Sequence, residues 1–347
     1  MKILLVSILA IMTIGTIFSV SISAQQDYDI PDWVKNTAGW WADDQIDDAS
    51  FVNGIKFLIE NDVMEIETTD STIFSEYPDN GDFYLTYEPN PNSLYEEEYT
   101  AMAWLKYQEL LEYEIEFLNE NFRLPYDVEI IAMECNEPNA FYDLETKQVI
   151  ICYEFVDDVQ ETYTMFHYDV WDGTDESFDV DVYNNYIYDV VDFVFWHEMG
   201  HAFIDIYELP VTGLEENVAD QFAALMLSFT YDEETGDYSV GQDMLYNVGT
   251  WFAIEDQYWN EIHPEETGET ITPQYWGTHG LDAQRFYNIS CYAYGSDPQY
   301  NRDLIADGWL PEERAANCEW EYRQIEYSFV YLLEPFDYGF FDYYFEE

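Results

Sequence analysis

Basic residues are scarce in this chain. Lys and Arg together number 10 against 73 Asp and Glu, leaving a formal net charge of −63. That balance excludes a nucleic-acid binder, because recognition of phosphates demands a basic surface. The acids are spread along the chain and not gathered in a tail, so they read first as a solvating face. Such a surface repels itself at low salt, suits a saline exterior, and would steer a basic substrate inward. Disorder is excluded in spite of the charge, since 48% hydrophobic and 19% aromatic residues supply a substantial core.

Long apolar runs are missing beyond the start. Residues 1–24 open with Met1-Lys2, stay apolar from Ile3 to Val20 and end Ser21-Ile22-Ser23-Ala24. This is the layout of a secretory signal cleaved after Ala24. The run is also long enough to persist as an uncleaved membrane anchor. The expected location is therefore secreted or extracytoplasmic, with membrane anchoring if the signal is retained.

Cysteine is limited to four residues with no C-x-x-C pattern, which argues against a Cys-ligated metal. Export makes disulfides available. Three connectivities are possible, and the local one is expected: Cys135 with Cys152 and Cys291 with Cys318.

Histidine is just as rare, with five in 347 residues, yet two of them stand in His197-Glu198-Met199-Gly200-His201. Chance would produce this H-E-x-x-H pattern on the order of once in a hundred such chains. Val190, Val191, Phe193, Val194 and Phe195 before it and Ala202, Phe203, Ile204 and Ile206 after it mark a buried helix. On a helix the two imidazoles share one face and can hold one metal ion, while Glu198 can reach a water beside it. A plain core helix would bury two imidazoles that repel on protonation and want a partner.

A third ligand is needed. After the breaker segment 209–213 a second helix begins, with Glu216 and Asp220 four apart on one face. Glu216 can ligate the metal and Asp220 can accept the remaining ring N–H of a ligand histidine. Alanines at 219, 223 and 224 permit close approach of a neighbouring helix. Glu215, Asp205, Glu208 and Asp282 are rival ligands, and an acidic helix start is also favoured by the helix dipole alone.

With these residues the chain resembles the gluzincin branch of the zincin metallopeptidases, whose third ligand is a Glu in a downstream E-x-x-A-D helix. Here Glu216 to Asp220 reads E-N-V-A-D. It is most similar to a family of secreted metallopeptidases over roughly residues 82–330. That likeness includes Leu124-Pro125, Cys135, Asn139-Ala140-Phe141-Tyr142, Ile151-Cys152-Tyr153-Glu154 and the stretch 279–295. The resemblance implies an α+β, zincin-like domain with an active-site helix and a mixed sheet. It also implies Zn2+ held by His197, His201 and Glu216, and hydrolysis of a peptide or protein substrate with Glu198 as the base.

Segments 128–133 and 148–155 are β-branched runs separated by Pro138, Asn139 and an acidic turn, and they read as a hairpin. Asn139, Ala140, Phe141 and Tyr142 are expected to line a substrate cleft along an edge strand, although an ordinary hairpin fits as well. His279 is the best remaining donor to a developing oxyanion, with Asp282 or Arg285 in support, although a lone histidine is more often structural. Residues 169–181 are acidic enough for calcium, but they lack the alternating ligand spacing and read as a surface loop. Asn288-Ile289-Ser290 is a formal sequon placed in a buried helix and is discounted.

Residues 27–68 form a small helical module with Trp33, Trp40 and Trp41, similar to one near the start of many exported archaeal proteins. Its tryptophans read as core, with a recognition surface for the cell envelope as the alternative. Residues 69–81 read as a linker, and 82–347 as the catalytic domain, opening with a strand at 83–87 and a long helix at about 99–121. A secreted binding or structural protein with a non-catalytic zinc site is the competing expectation.

Overall fold

Short β-branched stretches build a four-stranded sheet, and the other regular elements among the described residues are helices. The computed structural model describes residues 77–89, 100–167, 179–231, 235–259 and 275–341. All of these fall in one unit, Phe74–Glu347. The expected signal segment and tryptophan module, most of the expected linker, and residues 168–178 of the stretch read as an acidic loop lie outside the described residues.

The sheet runs β1 (Phe83–Tyr87), β2 (Val128–Met133), β4 (Gln148–Cys152), β3 (Ala140–Asp143) in spatial order. Val128, Ile130, Val149 and Ile151 are wholly buried, as strands covered on their faces require. The expected hairpin is corrected here, because β2 and β4 pair parallel, Ile130 opposite Val149. The reversal is taken up by β3, which lies antiparallel to β4 with Phe141 opposite Ile150 and forms one edge of the sheet. Phe155, read as strand, belongs to helix α3 (Tyr153–His167).

The long helix expected at 99–121 is two helices, α1 (Ala101–Gln108) and α2 (Leu110–Asn121). Glu109 between them takes a left-handed φ of 54°, which ends one helix and starts the next. Thr100 caps α1 by accepting from the Ala103 N–H.

Helix α4 (Val180–Ile206) is apolar nearly all round, so it can only be a central element. Asp179 starts it by accepting from the N–H groups of Asp181 and Val182. It packs against α5 (Glu215–Phe229), α6 (Ser239–Gln257), α3 and strand β3. Gly200 lets α5 approach: a Cβ there would stand 3.1 Å from Ala219 Cα. Helices α7 (Asp282–Ser296) and α8 (Cys318–Leu333) close the far side.

Both expected disulfides are present. Cys135–Cys152 ties the exit of β2 to the end of β4, and Cys291–Cys318 ties α7 to α8.

The side of α4 that faces α2 and α6 carries buried acids. Burial pushes Glu114 up to about 8 against a Trp196 hydrogen bond that lowers it. It pushes Asp189 to about 7 and Asp192 well above the carboxylate range. Carboxyls raised in the folded state hold protons that the unfolded chain has released, so stability falls as pH rises from the ordinary carboxylate range toward 8. Asp192→Asn removes one such group. It is expected to raise the melting temperature by ~2–6 °C near pH 8 and by little near pH 5. Equal shifts at both pH values in thermal melts would contradict this.

Candidate metal centre

His197 and His201 sit one turn apart on α4, on the face turned toward α5 and the cleft. Helix α5 starts at Glu215, so Glu216 lies in its first turn, where the helix dipole favours a carboxylate. Glu216 Oε2 is the point of convergence. His197 Nε2 lies 3.2 Å from it, His201 Nε2 3.3 Å and His279 Nε2 2.9 Å.

The other ring nitrogens are fixed from behind. His197 Nδ1 is 2.8 Å from Asp220 Oδ1, and His201 Nδ1 is 2.8 Å from Glu215 Oε1. Asp220 is itself gripped by Arg285, whose Nε donates to Oδ2 at 2.9 Å and whose terminal NH2 donates to Oδ1 at 2.6 Å. Arg285 lies in turn over the Phe252 ring. Each carboxylate behind a histidine selects the tautomer that leaves Nε2 facing inward as a ligand.

The electrostatics call for positive charge at the centre. The three imidazoles hold the Glu216 carboxyl far below its usual range. Burial depresses His201, but Glu216 and Glu215 outweigh it and raise the ring to about 9. Burial likewise opposes a charge on His197, and Asp220 and Glu216 overcome it. Burial would raise Asp220, yet Arg285 and His197 draw it down to about 2.

Imidazole nitrogens, two of them on rings held by an outer hydrogen bond, and a carboxylate oxygen are a zinc-type donor set, so the residues fit a metal. The ligand atoms of His197, Glu216 and His279 lie within 4.8 Å of one another. His201 reaches the same carboxylate oxygen.

Glu198 is buried beside this group, and its Oε2 accepts from the Tyr142 N–H of β3 at 2.9 Å. Burial raises its carboxyl, opposed by His197, His201 and that N–H, with a net upward shift. The centre opens into a cleft of ≈ 540 Å³. Asn139, Ala140, Phe141 and Tyr142 form one wall, while Trp251, Phe252 and Trp259 belong to another.

The structure thus gathers His197, Glu198, His201, Glu216, Asp220, His279 and residues 139–142 in one place. Of the rival ligands, Glu215 stands behind His201, and Asp205 is taken by the Tyr142 hydroxyl and Lys147. Asp282 lines the cleft outside the ligand group, and Glu208 lines neither. Arg285 grips Asp220, a role that its sequence position beside His279 did not reveal. The cleft aromatics of α6 were also missed, since in sequence they look like ordinary core.

Arg285→Met keeps the aliphatic stem and removes the grip on Asp220. Zinc affinity is expected to fall ~10–100-fold in competition with a chromophoric chelator. An unchanged affinity would show that Asp220 orients His197 unaided.

The α+β domain thus carries a cluster of His and Glu able to hold a metal ion, opening into a cleft. The chain belongs to the family described as "putative metallopeptidase", which it matches over residues 91–333. No curated protein and no solved structure matches it.

Proposed function

We propose that the protein is a secreted, zinc-dependent metallopeptidase with a zincin-like, gluzincin-type site that hydrolyses peptide bonds. The convergence of three imidazoles on Glu216, with the buried Glu198 carboxylate alongside at the foot of an edge strand, carries this reading. His197, His201 and Glu216 would hold the zinc ion. When bound, zinc supplies Lewis acidity, which lowers the pKa of water and polarises a carbonyl.

The chain's own residues account for the remaining steps. Glu198, oriented by the Tyr142 N–H, accepts a proton from the attacking water and delivers it to the leaving amine. Asp220, locked by Arg285, and Glu215 keep the two ligand rings turned inward. His279 donates to the oxyanion that forms as the carbonyl is attacked. An extended substrate lies along β3 past Asn139, Ala140, Phe141 and Tyr142 by strand addition. The acidic surface favours basic substrates. Residues 1–24 and two disulfides support export, since disulfides persist in oxidising compartments. Association with the cell envelope would come through residues 27–68 or an uncleaved signal.

A second reading rests on one contact. His279 Nε2, at 2.9 Å from Glu216 Oε2, is placed as well for ligation as for catalysis. A fourth protein ligand would close the site and make the zinc structural. His279→Ala separates the two. An oxyanion donor gives unchanged zinc affinity and turnover reduced ~10²–10³-fold, whereas a ligand gives weakened zinc binding. The function itself is tested with an unbiased peptide library read by mass spectrometry. New termini should appear with the zinc-loaded protein and disappear with a chelator, and a library left intact by zinc-loaded protein opposes the proposal.

A further inference from the structure

Behind α4, away from the metal centre, lies a second cavity of ≈ 790 Å³, larger than the cleft. Asp189, Asp192 and Trp196 recur along one side of α4 and line it, while His197 and His201 line the cleft. Glu114 of α2 faces the same space, and all three carboxylates are nearly inaccessible at 5%, 7% and 2% exposure for Glu114, Asp189 and Asp192. Asn247 donates to Asp189 at 2.7 Å, and Trp196 hydrogen-bonds Glu114. Asp192 Oδ1 is buried with no hydrogen-bond partner.

Leaving a buried carboxylate oxygen unpaired is expensive, and a cation is its natural partner. Among the described residues the lining contains no Lys, Arg or His. Protons hold these carboxyls neutral in the empty cavity, and a cation that replaces them comes from outside the described lining.

The ligand's shape follows from the walls. Among the described residues these carboxylates do not form a group tight enough for one metal ion, whereas the His197, Glu216 and His279 group does. Three carboxylates on one cavity call for more than one positive charge, and the aromatic rings that line the same cavity, including Phe117, Tyr188, Trp196 and Phe340, suit methylenes and cation–π contacts. We propose that this cavity binds a linear organic polycation of the polyamine class, with one ammonium at Asp192 and others at Glu114 or Asp189. The site is separate from the metal centre and does not depend on the proposed hydrolysis.

Calorimetric titration of the full secreted chain with spermidine tests this, in about 0.5 M salt so that diffuse attraction to the acidic surface is screened. One saturable site is expected, weakened roughly 30-fold or more by the near-isosteric Asp192→Asn. Val182→Trp, at an exposed lining position, should weaken binding by obstructing the cavity without touching the buried acids. Absence of saturable binding in the parent, or parent-like binding by both folded variants, would overturn the proposal. So would calcium that binds in the cavity and displaces spermidine at equal concentration, since that would make the site one for a metal.

Discussion

Glu198→Gln is expected to lower peptide turnover by ~10²–10⁴-fold while zinc affinity stays within about twofold of the parent's. The substitution preserves shape and removes the basicity. Glu198 stands outside the group that converges on Glu216, so metal binding does not need its charge. Its orientation depends on the Tyr142 N–H at 2.9 Å, which a glutamine carbonyl oxygen accepts equally well. Burial already holds the Glu198 carboxyl above its ordinary range, bringing it closer to the pH at which a base works best. Zinc-matched kinetics decide the matter. Turnover within a few-fold of the parent would remove Glu198 from the chemistry, and loss of zinc would make it a ligand.

His197→Ala should act on the metal itself. Zinc affinity is expected to fall by more than ~100-fold, with peptide cleavage lost in proportion to occupancy. His197 is only 3% exposed, and both of its ring nitrogens are engaged, one by Asp220 and one by Glu216. Truncation would leave two carboxylates facing an empty space, and Asp220 would keep only Arg285. A ligand that binds the folded state raises its stability, so zinc should raise the melting temperature of the parent and not of the variant. Calorimetry with and without zinc reads both effects. Parent-like zinc stabilisation in His197→Ala would move the metal site elsewhere.

The centre of the site was legible because its information is local. Two histidines four apart specify a shared helical face wherever the helix lies, and Glu216 and Asp220 repeat that logic one helix later. The same four-residue periodicity could not reveal Arg285, whose partner lies on another helix, or Glu215, which in sequence is one more acid at a helix start. Strand runs were legible as strands because β-branched residues dominate 128–133 and 148–152. Their relative direction was not, because apolar runs buried on both faces do not encode which neighbour they pair with. Only the four half-buried residues of β3 carry the reversal, too short a stretch to announce itself. Helix α1–α2 was read as one element since nothing in its apolar spacing marks Glu109 as left-handed. The buried acids of α4 were hidden for a compositional reason: among 73 Asp and Glu, position alone separates the few without water from the many that solvate the surface.

The most direct measurement is peptide-library turnover against measured zinc per chain, as metal-free protein is reloaded stepwise. A hydrolytic centre predicts no cleavage without metal, a linear rise with occupancy and a plateau at one zinc per chain. Full occupancy with no cleavage, or cleavage that persists without zinc, would contradict it.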